Sequence, residues 1–282
     1  MPPARLSGLT VAVAGAGAFG CTVALALARI GARVLLVDPA DEADNASGVA
    51  AGMLAPAFEA LLDPPMAGRF GLLKRARSLW PEFIGDDENG RSLLRRSGAA
   101  WVDRPGATPM RGAHAAALAA MGATIAPYSG PGGPGTGVST SDDWLIEPHA
   151  ALARFLKDLI GLGGRRVVAR VAAFEAGRIR LTNGESFAAE RLVIATGAER
   201  SPLAPELAAL TPIKGQILHF PAAAAGCGGP VIRCVGGYAA PGLAGLKVGA
   251  TMEVGLTDRR ATESAVETLR ETLRIGELAG PS

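Results

Sequence analysis

Gly15, Gly17 and Gly20 stand in the order G-x-G-x-x-G, and Asp38 follows 21 positions after Gly17. This spacing suits the capture of a pyrophosphate. Gly15 permits a tight turn, Gly17 lets the backbone approach the phosphates, and Gly20 lets a helix pack closely on a strand. A helix that begins at this loop offers free N–H groups and a partial positive charge to the anion. Asp38 is placed to accept hydrogen bonds from ribose hydroxyls. The chemistry is dinucleotide binding, and NAD and FAD are both held by this device.

The elements that must position these residues are legible around them. Residues 9–14 form a short Val-rich apolar run, fit for a buried strand. Residues 19–30 have the length and composition of a helix that Gly31 stops, and residues 33–37 read as a second buried strand ending at Asp38. The following stretch, "ASGVAAGMLAP" (46–56), carries one polar side chain, Ser47. Backbone with such small side chains can lie directly against a flat aromatic ring system and point N–H groups at its polar edge. A flexible linker would have no use for Met53 and Leu54. A nicotinamide-binding domain would instead continue into another helix and strand of the same sheet, so the order of segments favours FAD.

These residues carry a family resemblance. The run from Gly15 to Cys21, the run from Ser47 to Leu54, "VIATGAE" (193–199), "PIKGQIL" (212–218) and "VGATMEVG" (248–255) resemble the FAD-dependent D-amino-acid oxidase superfamily. Within it they are most similar to the glycine oxidases of thiamine biosynthesis, over most of the chain from residue 9 to about 260. The resemblance implies FAD as cofactor, with Ala18 and Phe19 at the pyrophosphate and Asp38 where a Glu is more usual. It places Ser47 near the phosphates, and Ala51, Gly52 and Met53 along the flavin. Val171 matches a position whose backbone contacts adenine, and Gly197 ends a strand whose backbone approaches the cofactor. Tyr238 matches a position bordering the substrate, with Met252 beside it, although Tyr238 by itself reads equally as a core or hairpin residue. These two are the candidate catalytic positions.

Composition narrows the partners. With 28 basic and 26 acidic residues, the net charge of +2 makes no electrostatic case for nucleic acid. Cys21, Cys227 and Cys234 follow no metal-ligand spacing, so no metal is expected, and their odd number suits a reducing compartment. Residues 11–28 carry no charge, yet three glycines within six positions argue against a membrane span. The start lacks the layout of a secretory signal. The expectation is a cytoplasmic protein with no membrane partner, acting on a small amino acid or amine and oxygen. A homo-oligomer or a completing subunit is left open.

The remaining segments give an α/β fold: a discontinuous Rossmann-like FAD-binding domain (1–80 and 146–205) with a β-rich substrate domain (81–145 and 206–282), D-amino-acid oxidase-like. Residues 66–83 read as one helix with Leu73, Ala76, Trp80 and Phe83 on its apolar face, kinked or ended by Pro81. "SGPGGPGTG" (129–137) reads as a loop. Pro148 opens a helix to about 160, and Asn183-Gly184 marks a hairpin. Residues 213–220, 231–234 and 246–251 read as strands, and 262–278 as an amphipathic helix with Val266, Leu269 and Leu273 on one face. His114, His149 and His219 suit surface or strand positions and receive no chemistry.

Family members continue past the Gly-Ala-Thr-Met-Glu strand into a Gly-x-Arg-Pro-type segment with a carboxylate-binding arginine. No counterpart precedes Ser282, so the fold is expected to be C-terminally truncated and its activity poor without a completing segment. Three readings follow. One is an oxidase that converts glycine or a similar small amino acid to an imine, reduces oxygen and serves thiazole formation. Another is a catalytically incomplete flavin-binding subunit or remnant. The last is an FAD oxidase acting on an aminomethyl group of modified tRNA, which the near-neutral charge disfavours.

Overall fold

The computed structural model describes residues 6–276, apart from 86, 105, 131–132 and 222–227. These residues divide into two compact units, each assembled from separated stretches: residues 1–50 with 148–212, and residues 51–147 with 213–282.

The first unit is built on a parallel sheet of four strands. Thr10–Ala14 lies at its centre, flanked by Arg33–Val37 and Arg191–Ile194, with Arg165–Val167 beyond Arg33–Val37. Four successive residues of each of the first two strands are buried, as strands covered on both faces require. The helix Ala18–Arg29 crosses between these two strands, burying Ala24, Leu25 and Ala28, and contacts the helix Pro148–Gly161. An antiparallel meander, Val171–Glu175, Arg178–Leu181 and Ser186–Ala188, closes over Ala12, Leu35 and Val37 with Ile179 and Leu181. Gly184 takes φ of +90°, the left-handed backbone that its hairpin needs.

The second unit is β-rich. Its main sheet has seven strands, in the order Ile217–Pro221, Gly245–Gly249, Gly237–Gly242, Val231–Cys234, Ala99–Val102, Gly133–Thr140, Ile125–Gly130. All neighbours are antiparallel except Val231–Cys234 and Ala99–Val102. Phe58 and Leu118, from the helices Pro56–Leu62 and Arg111–Ala120, pack with Trp101, Val138 and Val231 in one core cluster. The helix Glu263–Gly276 packs on the strands Gly237–Gly242 and Gly245–Gly249, and buries Ala265, Leu269 and Thr272.

Several expectations are corrected here. Residues 51–80, assigned to the nucleotide domain, belong to the second unit, because Ala51, Phe58 and Phe70 are core residues beside Trp101. The helix expected over 66–83 is two helices, Phe70–Ser78 and Trp80–Ile84, with Pro81 in the first turn of the second. Its buried residues are Phe70 and Arg77, not Ala76. The Arg77 Nη1 donates to the Asp142 carbonyl at 2.7 Å, and the guanidinium lies 4.0 Å from the Trp144 ring centre. Of the loop expected over 129–137, the described residues belong to the paired strands Ile125–Gly130 and Gly133–Thr140, with Tyr128 opposite Gly137, and residues 131–132 lie outside the described residues. A Cβ on Gly137 would collide with the Trp101 carbonyl, so that glycine serves close strand approach rather than a turn. The strand expected over 213–220 is broken into Ile213–Lys214 and Ile217–Pro221. His114 is buried, with its ring edge-on to Trp101. Cys227 and the side chain of Leu273 lie outside the described residues.

Candidate functional site

In the first unit, the loop between Ala14 and Ala18 is clasped from three directions. The Asp38 Oδ2 accepts the Ala16 N–H at 2.6 Å, and its Oδ1 accepts the Ala40 N–H at 2.8 Å. The Ser47 hydroxyl accepts the Ala18 N–H at 3.0 Å. Asn45 caps the short helix Ala46–Val49 by accepting from the Gly48 N–H, while its amide donates to the Ala16 carbonyl at 3.2 Å. Sequence reasoning missed Asn45. Its signal was an N-cap residue two positions before Ser47.

The three glycines have different tasks. A Cβ on Gly15 would lie 2.6 Å from the Ala195 carbonyl carbon, and one on Gly20 would lie 2.7 Å from that of Gly15. Both therefore fill places that the fold itself has closed. A Cβ on Gly17 would meet only the Ser47 side chain, at 3.0 Å. Gly17 is also the N-cap of the helix Ala18–Arg29 and supplies no side-chain cap. Phe19, in the first helical turn, is 82% exposed. This is a bare backbone corner at a helix N-terminus, the arrangement that binds phosphate. Below it, the buried Cys21 donates its thiol to the Ala16 carbonyl at 3.2 Å, and burial pushes that thiol up to about 12. Val171 begins the meander strand and packs in its core, and Gly197 takes φ of +67° just beyond the strand Arg191–Ile194.

In the second unit, the stretch that follows Ala50 is not a linker. Gly52 takes φ of +85° and its carbonyl accepts the Ile146 N–H at 2.9 Å, while Met53–Leu54 pairs with Leu145 and Trp144. Pro56 then starts a helix whose first N–H groups, of Ala57 and Phe58, are received by the buried Asp143 carboxylate at 2.7 and 3.3 Å. Burial pushes the Asp143 carboxyl up to about 6 against the opposing pull of these bonds and of Arg233. Ala51, Met53 and Tyr238 gather at one core cluster. Tyr238 stands opposite Gly249, where a Cβ would lie 2.6 Å from the phenol oxygen; burial pushes that phenol up to about 12. The phenol is thus a neutral hydrogen-bonding group at ordinary pH. Met252 is set apart from this cluster and is 70% exposed.

Arg233 is the second residue that sequence reasoning missed. It lies on the strand Val231–Cys234 directly opposite Tyr238 and is buried. Its Nη2 donates to Glu59 Oε1 at 2.6 Å and to the Met53 sulfur at 3.4 Å. No sequence signal pointed to it, since its partners are 174 and 180 positions away.

The family model for FAD dependent oxidoreductases (DAO) matches residues 10–274. The chain belongs to this family. FAD is accordingly its cofactor, and the bare corner at Gly17 fits the pyrophosphate of that group. Among curated relatives, the tRNA 5-methylaminomethyl-2-thiouridine biosynthesis bifunctional protein MnmC of Chromohalobacter salexigens is 31% identical over 289 residues, 94% of this chain and 40% of the relative. Its counterpart in Nitrosospira multiformis is 32% identical over 273 residues, 89% of this chain and 43% of the relative. The chain thus spans about two fifths of the length of these relatives. Among solved structures, glycine oxidase from Geobacillus kaustophilus aligns with a TM-score of 0.77 at 21% identity, over 93% of this chain and 76% of that one. Iminodiacetate oxidase from Chelativorans sp. BNC1 aligns with a TM-score of 0.75 at 22% identity, over 95% and 79%. These likenesses establish the DAO fold: a discontinuous Rossmann-like α/β unit with a β-rich second unit. Among the described residues no helix is long and apolar enough to cross a membrane, and no group of His, Cys, Asp or Glu is arranged to hold a metal ion.

Proposed function

We propose that this DAO-family chain oxidises the carbon–nitrogen bond of glycine or a similar small primary or secondary amino acid to an imine, with oxygen as the final electron acceptor. The observation that carries this reading is the gathering of Ala51, Met53 and Tyr238 at one cluster. Those are positions expected to line the flavin and border the substrate. When bound, FAD supplies the two-electron acceptor for a hydride from the carbon beside nitrogen. The chain's own residues hold and shield. The backbone at Gly17 and the first turn of Ala18–Arg29 receive the pyrophosphate, Ser47 and Asn45 brace that loop, and lone pairs of Asp38 remain for the ribose. Tyr238 offers a neutral phenol to the substrate and is no base. The link to thiazole formation in thiamine biosynthesis comes from the glycine oxidase resemblance.

A second reading is favoured by the 31% and 32% identity to the curated MnmC proteins, whose name concerns a methylaminomethyl group of tRNA. Here the oxidised carbon–nitrogen bond would belong to an aminomethyl substituent of a modified tRNA. The two readings share the bond broken and differ in what carries it.

The test is anaerobic mixing of the FAD-loaded chain with glycine, with N-methylglycine and with tRNA bearing aminomethyl-modified uridine, following loss of the visible flavin absorbance. Bleaching by the small amino acids supports the first reading. Bleaching by the tRNA alone replaces it with the second, and a flavin that none of the three reduces removes both.

A further inference from the structure

A cavity of about 240 Å³ opens within the second unit, at the end of the main sheet where Ala99–Val102, Ile125–Gly130 and Val231–Cys234 begin and Gly133–Thr140 finishes. None of the residues placed at the flavin or the substrate lines it. Its wall is rich in hydroxyls. Two of them are already employed: the Ser139 Oγ donates to the Ala126 carbonyl at 3.2 Å, and the Thr140 Oγ1 accepts the Asp142 N–H at 3.1 Å. Those of Ser97, Thr124 and Ser141 have no such partner among the described residues and remain for a ligand. Gly98 takes φ of +77°, and a Cβ there would lie 2.6 Å from the Thr140 carbonyl oxygen. The segments that carry Ser97 and Ser141 therefore meet backbone to backbone. Arg96 supplies the charge. It is exposed, its guanidinium carbon lies 4.6 Å from the Trp144 ring centre, and no carboxylate pairs with it among the described residues. Asp142 is taken instead by the Lys74 Nζ at 2.8 Å and by the Thr124 N–H at 2.7 Å. Stacking on an indole face uses none of the guanidinium's N–H donors, so the plane is fixed while its edge stays open to an anion.

We infer that this cavity binds the phosphate ester of a small sugar, with Arg96 on the phosphate oxygens and Ser97, Thr124 and Ser141 on the sugar hydroxyls. A guanidinium edge matches two phosphate oxygens at once. Hydroxyl side chains both donate and accept, as sugar hydroxyls require. The volume lies below the about 300–1,000 Å³ of pockets that bury drug-sized ligands, so a metabolite of a few carbons fits and a dinucleotide does not. The inference goes beyond the amine oxidation proposed above and does not depend on it.

The test is calorimetric titration of the FAD-loaded full chain with ribose 5-phosphate, with ribose as the uncharged counterpart and inorganic phosphate as the bare anion. Loading with FAD keeps the probes away from the backbone corner at Gly17. The parent should bind ribose 5-phosphate saturably, and about tenfold or more tightly than either counterpart. Arg96→Gln, at an exposed position, should keep the fold and weaken the ester by about ten- to a hundredfold, the worth of a charge-assisted contact. Ser97→Ala and Ser141→Ala should each weaken it about two- to tenfold. Ester binding that ignores Arg96→Gln, inorganic phosphate that binds as tightly as the ester, or no binding to the parent overturns the inference. A short oligoribonucleotide offers the same ribose and phosphate in a polymer. If it binds in an Arg96-dependent way while the free ester does not, the cavity reads a nucleic-acid backbone and the small ligand falls. Flavin bleaching by amines should be unchanged in Arg96→Gln; a collapse there would make the cavity part of the oxidative site and overturn its separate role.

Discussion

Replacing Gly20 by alanine tests whether the loop at Gly15–Gly20 is shaped by the fold or merely tolerant of small residues. The added Cβ would lie 2.7 Å from the Gly15 carbonyl carbon, with the carbonyl oxygen closer still. Non-bonded carbons rest at about 3.5–4.0 Å, so the helix and the loop must separate by roughly an ångström. Neither is free to do so. The Gly15 N–H is held by the Val37 carbonyl at 2.8 Å, and Gly20 is buried within Ala18–Arg29. Overpacking a filled site costs about 1–3 kcal/mol, and a backbone obstacle places this case near the upper figure. At about 2–4 °C per kcal/mol, the apo protein should melt roughly 6–12 °C lower. Pulling the helix N-terminus away from the phosphates should also weaken one charge-assisted hydrogen bond, about 1.5–3 kcal/mol, or ten- to a hundredfold in Kd. Two other glycines supply the contrast. Gly17→Ala meets only the Ser47 side chain, so it should leave the melting temperature nearly unchanged and lose FAD affinity. Gly71→Ala, in open space on Phe70–Ser78, should stabilise slightly. Thermal melts of the three apo variants, paired with titrations that follow quenching of FAD fluorescence, give both readouts. A Gly20→Ala chain that melts and binds FAD like its parent would refute the reasoning.

Burial holds the Asp143 carboxyl up at about 6 against 3.8 when unfolded, so the native state binds the proton more tightly and stability falls as pH rises between those values. Two units amount to about 3 kcal/mol, and Asp143→Asn, which keeps an acceptor for the Ala57 N–H, should flatten urea-midpoint profiles across that window; an unchanged profile counts against the assignment. Both tyrosines, Tyr128 and Tyr238, are raised above the usual 10 by burial, Tyr238 to about 12. Their stabilising protonated state is fully held below pH 10 and lost as pH rises through the folded value, so phenolate absorbance should appear at higher pH in the folded chain than in the unfolded one, and coincident titrations would contradict the packing.

What the sequence alone determined lies where neighbours along the chain decide the outcome. The strand, glycine loop, helix and strand from Thr10 to Val37 were legible because buried β runs and the G-x-G-x-x-G turn are local patterns. The hairpin at Asn183-Gly184 and the helix opened by Pro148 were legible for the same reason, since each residue restricts its own backbone. Tertiary structure decided the rest. The polypeptide leaves the first unit at Ala50 rather than near residue 80, because the residues after it find their apolar partners around Trp101 and Leu118. The helix Pro56–Leu62 receives its cap from Asp143, 86 positions from Ala57, a pairing that no local pattern encodes. Arg233 shows the limit most sharply. An arginine in an apolar strand carries no periodic signal, and only the sheet register beside Tyr238 and the helix bearing Glu59 turn it into a buried fork. Backbone preferences act over a few residues, whereas burial and charge pairing are settled by whichever distant segments the fold brings into contact.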